Sequence, residues 1–172
     1  MIELIIPAGE KKRIVLVHNE PESEQRIIRL AGEGAEVQIE EIFVSGNVQS
    51  NITVIHDALR TKSRINARGV VEKGQITVSH AKVVIPKRGQ LSDSFVSQHF
   101  LLLDGSAEVE AIPSLEIEAD EVKASHAATF SPLDAEQIFY LTSRGVPEVE
   151  ARKLIIEGFL KIPKGYEHLW QT

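Results

Sequence analysis

Short runs in which apolar and polar residues alternate one for one, with no helical segment between them, restrict this chain to a succession of β-strands. Val37-Gln38-Ile39-Glu40, Ile52-Thr53-Val54, Ile65-Asn66-Ala67-Arg68 and Ile76-Thr77-Val78-Ser79 alternate in this way. So do Val109-Glu110-Ala111 and Leu115-Glu116-Ile117-Glu118-Ala119. A period of two sends successive side chains to opposite faces, leaving one face dry and the other wet. The starts at Val37, Ile52, Ile65 and Ile76 fall 15, 13 and 11 residues apart, too close for crossover helices. Two mainly β architectures satisfy this pattern. Antiparallel sandwiches and barrels announce hairpins through Asn-Gly or Asp-Gly pairs, and only Asp104-Gly105 is present. A β-solenoid stacks short strands as parallel sheets joined by irregular turns. The scarcity of hairpin pairs leans towards the solenoid, although no strict repeat is visible. Aromatic residues make up 5% of the chain, so either core is mostly aliphatic.

The pattern breaks at Ser131-Pro132, which divides a β core over 1–130 from a helical region over 131–172. Asp134 is placed to cap a helix over 134–144, with Gln137 reaching back in a box and Leu133 and Ile138 forming a staple. Gly145 is its left-handed stop. Pro147 opens a second helix over 147–160, where a missing N–H is tolerated. Glu148 and Glu150 favour its N-terminal end and Lys161 its C-terminal end. Ala151, Leu154, Ile155, Gly158 and Phe159 form its apolar stripe, and Pro163 ends it. The remainder through Trp170 reads as a loose tail or a short docking segment.

Composition then narrows the chemistry. The 172 residues contain no cysteine, which excludes disulfides, a cysteine nucleophile and any cluster held by this chain's own thiolates. The net charge of −6 disfavours nucleic acid and anionic membranes as partners. No apolar run approaches the about 18 residues that span a bilayer, and Met1-Ile2-Glu3-Leu4 is not a secretory start, so a cytoplasmic location is expected. There is no Gly-x-Ser-x-Gly elbow, and Gly32-Glu33-Gly34 lacks the rest of a phosphate loop. Of the six histidines (His18, His56, His80, His99, His126 and His168), none forms a recognisable ligand pair. His126 stands apart: if Val122 and Ala124 face inward, the two-residue period turns it inward too. It is then either a satisfied core residue or a ligand at an interface.

The stretch Pro113-Ser114-Leu115-Glu116-Ile117-Glu118-Ala119-Asp120-Glu121-Val122-Lys123-Ala124-Ser125-His126-Ala127-Ala128-Thr129 resembles the SufB/SufD family of iron–sulfur cluster assembly proteins. Gln137-Ile138-Phe139-Tyr140-Leu141-Thr142-Ser143-Arg144-Gly145 and the segment from Ala151 to Phe159 carry the same resemblance. It implies a right-handed parallel β-helix followed by a short helical pair. It also implies a non-enzymatic cytosolic complex with a SufC-like ABC ATPase. That ATPase would dock where Tyr140, Arg144, Gly145, Glu148 and Phe159 stand. A second SufB/SufD-type chain, or another copy of this one, would pair through the β-helix. His126 matches the histidine that SufD-type members contribute to that interface, where an iron–sulfur cluster is transiently shared with the partner. Ala107 stands where SufB-type members carry a cysteine. Ala124 and Ala127 replace a cysteine and a glycine beside the histidine, and Gln98-His99 replace Asn-Arg. The long N-terminal region of typical members has no counterpart. The implied role is therefore that of a short, SufD-like scaffold or accessory subunit. The alternative is a β-solenoid oligomerisation module that has lost cluster chemistry.

Overall fold

Ten strands and two helices make up the computed structural model, which describes residues 1–44 and 46–166. The strands are β1 (Ile2–Ile6), β2 (Lys11–His18), β3 (Glu22–Leu30), β4 (Glu36–Phe43) and β5 (Val48–His56). They continue with β6 (Lys62–Val71), β7 (Ile76–Ile85), β8 (Asp93–Leu102), β9 (Glu108–Ile117) and β10 (Lys123–Pro132). Odd strands form one sheet in the order β1-β3-β5-β7-β9, even strands the other in the order β10-β8-β6-β4-β2. Every pairing is parallel. Each coil thus gives one strand to each sheet, which is a parallel β-solenoid, and the antiparallel alternatives are excluded. The coils lengthen along the chain. In the odd sheet Ile2 faces Arg26, Glu22 faces Val48, Val48 faces Thr77 and Ile76 faces Glu108, offsets of 24, 26, 29 and 32 residues. Unequal coils are why no strict repeat is legible.

The two alternating runs at Val109 and Leu115 are one strand, β9. Its period of two continues through Pro113, which is tolerated because β9 is a sheet edge and one missing donor there breaks no central ladder.

Inward positions stack into columns. Ile14, Ile39, Ile65 and Val96 form an aliphatic one. His18, Phe43, Phe100 and Phe130 form an aromatic one, with ring centroids 4.7, 5.4 and 6.3 Å apart. Phe43 and Phe100 lie two strands apart and still touch because Gly69 stands between them. A Cβ on Gly69 would come within 2.6 Å of the Phe100 ring. One outward column carries alternating charge. Lys11, Glu36, Lys62, Asp93 and Lys123 succeed one another in register, with Glu36 held at 3.1 Å by Lys11 and 3.4 Å by Lys62. At a corner Asp57 takes both Arg29 and Arg88. A one-residue slip would turn the buried columns outward and break these ion pairs, so both features fix the register.

The helices are α1 (Ala135–Ser143) and α2 (Glu148–Leu160). Asp134 accepts from the Glu136 amide and Gly145 follows with φ 88°, as expected. Gln137 makes no capping bond and lines a groove instead. The face of α2 that is buried differs from the expected stripe: Ala151, Ile156 and Leu160 go inside, while Leu154 is exposed. Ile156 and Leu160 pack on Ile42, Val70 and Leu101 of the even sheet. The apolar surface of the sheet, not the helix pattern alone, selects which side turns in. The remaining tail, with His168 and Trp170, lies outside the described residues.

Candidate functional site

The last coil has no successor, because the chain leaves the solenoid at Pro132 for α1. On β8 the inward residues Ser94, Val96 and Phe100 are buried. Their register partners on β10 are Ala124, His126 and Phe130, and His126 and Phe130 are exposed. Phe130 keeps 45% of its surface in water. On β9, Val109, Ala111, Pro113 and Leu115 are half-buried for the same reason. Ten-residue edges on both sheets and an uncovered apolar floor together form an open end. Such an edge is a template for another strand.

His126 does face the solenoid interior, topping the column of Ile14, Ile39, Ile65 and Val96. Its surroundings are not those of a satisfied core residue: the ring is at the open end, exposed. Ala124, on the same face, is half-buried, and Ala107 is half-buried in the turn before β9. Among the described residues no three side chains of histidine, aspartate or glutamate cluster to hold a metal ion.

The second candidate surface is helical. Phe139 is 73% exposed and Tyr140 58%, with the Arg144 guanidinium 5.3 Å above the Tyr140 ring. Gly145 lets the chain reverse into α2, where Glu148 is bonded to Arg152 one turn on. A groove of about 760 Å³ runs between the helices and the sheet, lined by Leu101, Leu133, Gln137, Leu154 and Phe159. Leu154, Ile155, Gly158 and Phe159 of the apolar stripe expected on α2 therefore line an open groove, and of that stripe only Ala151 is buried. Two large exposed aromatics on α1, which also contributes Gln137 to this apolar groove, give the helical region the composition of a protein-binding surface.

Two of the other histidines, His18 and His56, are buried and hold the fold. His18 lies buried with Nε2 2.9 Å from Glu41 and Nδ1 2.5 Å from Glu22, and Glu41 also accepts from Ser50. Burial pushes its pKa down, but the two carboxylates outweigh that and hold it above the ordinary value. His56 is buried between Thr61 and Ser63, each 2.8 Å from a ring nitrogen, and burial lowers its pKa to about 4. His80 contacts Glu110 at 2.6 Å, and His99 contacts Thr129. The His18–Glu41 pair escapes a sequence reading because its members are 23 residues apart. Its one trace is that Glu41 falls on the inward phase of Val37 and Ile39.

Among the described residues no helix is long and apolar enough to cross a membrane. A family model described as the SUF system FeS cluster assembly, SufBD core domain matches residues 16–159. The chain is similar to an iron–sulfur cluster assembly SufBD family protein of Mycobacterium tuberculosis, 31% identical over 143 residues, which covers 77% of this chain and 36% of that one. A Staphylococcus aureus protein of the same description is 30% identical over 135 residues, covering 77% and 29%. One from Synechocystis is 39% identical over 90 residues, covering 52% and 20%. The matched part thus spans little more than a third of these relatives, or less.

Proposed function

The chain belongs to the SufBD family of iron–sulfur cluster assembly proteins, and we propose that it works in that process as a non-enzymatic, SufD-like scaffold subunit. In this reading the open end of the solenoid pairs with a second SufB/SufD-type chain or with another copy, in the cytoplasm. The exposed apolar floor around Phe130 is the observation that carries it, since a partner strand would both complete the sheet and cover that floor. The helical surface of Tyr140, Arg144, Gly145, Glu148 and Phe159 docks a SufC-like ABC ATPase. The cluster is cargo, held transiently at the seam. With no cysteine in the sequence, this chain offers it at most a histidine, His126, or a carboxylate, and the thiolates come from the partner or from the sulfur donor.

Co-purification with the cognate ATPase tests the docking. The full chain is expected to retain the ATPase, and a Phe139→Glu, Tyr140→Ala variant to bind about tenfold less tightly or worse, the usual effect of losing a central aromatic anchor. These two side chains are exposed, so the fold does not depend on them. Equal retention by both proteins would overturn the assignment of this surface. His126→Ala is expected to lower iron content and visible absorption after anaerobic reconstitution of the complex with its partner chain. Unchanged absorption removes His126 as a ligand. A stable oligomer that never takes up iron favours the second reading, an oligomerisation module without cluster chemistry, which the absence of cysteine supports.

A further inference from the structure

Arg68 occupies an outward position on β6 in the column Ile42, Arg68, His99, Thr129 of the even sheet. Nine arginines occur in the sequence. Seven ion-pair with a carboxylate, and Arg144 lies over the Tyr140 ring. Among the described residues Arg68 alone has neither kind of partner. As a residue it is half-buried, and a guanidinium without a carboxylate keeps its full fork of donors for an external oxyanion. The outward acids of the even sheet's own strands are committed elsewhere: Glu36 to Lys11 and Lys62, Glu40 to Arg13 and Asp93 to Arg64.

Its uncharged neighbours are able to donate. Adjacent strands lie about 4.8 Å apart, so His99 and Thr129 follow Arg68 within two strand spacings. Thr129 contacts Nδ1 of His99. If the hydroxyl donates there, the ring proton sits on Nε2, which is then a donor. On the preceding outward column Asn66 Oδ1 accepts from Ser97 at 2.8 Å, which leaves the Asn66 amide N–H groups free of that bond. The His99 pKa is lowered by burial and by the positive field of Arg68, so the guanidinium charge is felt at the ring and is not neutralised there.

We propose that Arg68, His99 and Asn66 form a binding site for a small oxyanion, phosphate or carboxylate, on the outer face of the even sheet. The guanidinium supplies a planar fork of donors that fits two oxygens of either group, and the imidazole and amide supply single donors to the rest. The site is distinct from the open end, because these side chains point away from the solenoid interior, and it does not depend on the cluster-assembly reading.

The probes are inorganic phosphate and acetate, titrated at constant ionic strength into the full chain carrying ¹⁵N-labelled arginine. Saturable movement of the Arg68 Nε–H resonance and of the His99 ring is expected, with a dissociation constant on the order of millimolar for so few contacts. Saturation by phosphate alone assigns the site to phosphate-type ligands. Saturation by both assigns it to either oxyanion, and saturation by acetate alone assigns it to carboxylates. Arg68→Gln is expected to weaken binding about tenfold or more, Arg68→Lys to restore part of it, and Arg152→Gln to leave it unchanged. Linear, unsaturated shifts with both probes, or equal binding by Arg68→Gln in a protein of native stability, would overturn the proposal.

Discussion

Glu41→Ala is expected to cost about 3 kcal/mol of folding stability, the lower end of the range for breaking a buried ion pair, because His18 keeps Glu22 as its second carboxylate. Glu41 and His18 are each 2% exposed, and their side chains meet at 2.9 Å inside the solenoid. Removing the carboxylate strands the imidazole between Phe43, 4.7 Å away, and the half-exposed Glu22. Ser50 loses its acceptor at the same time. For a single domain with a total stability of about 5–15 kcal/mol, this is a large share of the whole. The pH dependence follows from the raised pKa of His18. Its contribution is fully present below the ordinary histidine pKa of about 6.5 and is lost as pH rises through the higher native value. Denaturant titrations at pH 6 and pH 8 are therefore expected to show a larger loss at the lower pH. The double variant His18→Leu, Glu41→Leu recovers most of the loss, because it removes both charges from the interior. A loss below about 1 kcal/mol for Glu41→Ala would mean that the carboxylate is solvated and the pair contributes no more than a surface bridge.

The position of Glu41 also marks where sequence reasoning stops. In Val37-Gln38-Ile39-Glu40-Glu41 a strict alternation forces one of two adjacent acids inward, so a buried carboxylate is legible. Its partner is not, because His18 lies one coil away and coil length is set by turns that vary from offset to offset. The same distinction governs His126. The period of two places it on the inward face correctly, since that is a local property of β10. Whether a further coil covers it is decided by where the chain departs, at Pro132. In α2 the residues at 151, 154, 155, 156, 159 and 160 are all apolar, leaving two overlapping faces. The sheet's patch of Ile42, Val70 and Leu101 chooses Ile156 and Leu160, and the other face is left for the groove. Helix limits, by contrast, rest on short-range chemistry: the Asp134 cap, the positive φ of Gly145 and Pro147 all act within a few residues. They are read from sequence to within one residue at each end.

Acidification is expected to destabilise the protein through His56, in the opposite sense to His18. The His56 ring is fully buried, bonded to Thr61 and Ser63, and embedded in a hydroxyl ladder in which Thr61 meets Ser92 at 2.8 Å and Ser63 meets Ser94 at 2.7 Å. Two neutral ring nitrogens, one donor and one acceptor, suit these hydroxyls, which can rotate to match. A proton added to the acceptor nitrogen must disturb the ladder and charge a buried ring. Burial accordingly holds the native pKa near 4, with Asp93 opposing and Arg64 assisting. In the unfolded chain the same ring takes up its proton near pH 6.5. Between those two values the unfolded state binds more protons than the folded one, so stability falls as pH drops from 6.5 to 4 and levels off below. A separation of about 2.5 pH units corresponds to a loss of about 3 kcal/mol across the window, roughly 2 of it already at pH 5. His56→Gln removes this contribution while His18 remains in both proteins, so the difference between the two pH profiles isolates the buried ring. Denaturant midpoints at pH 7.5, 5 and 4 are expected to converge as pH falls, the variant being the less stable at pH 7.5 and losing less on acidification. Parallel profiles would show that His56 is protonated equally in both states and that the hydroxyl ladder tolerates its charge.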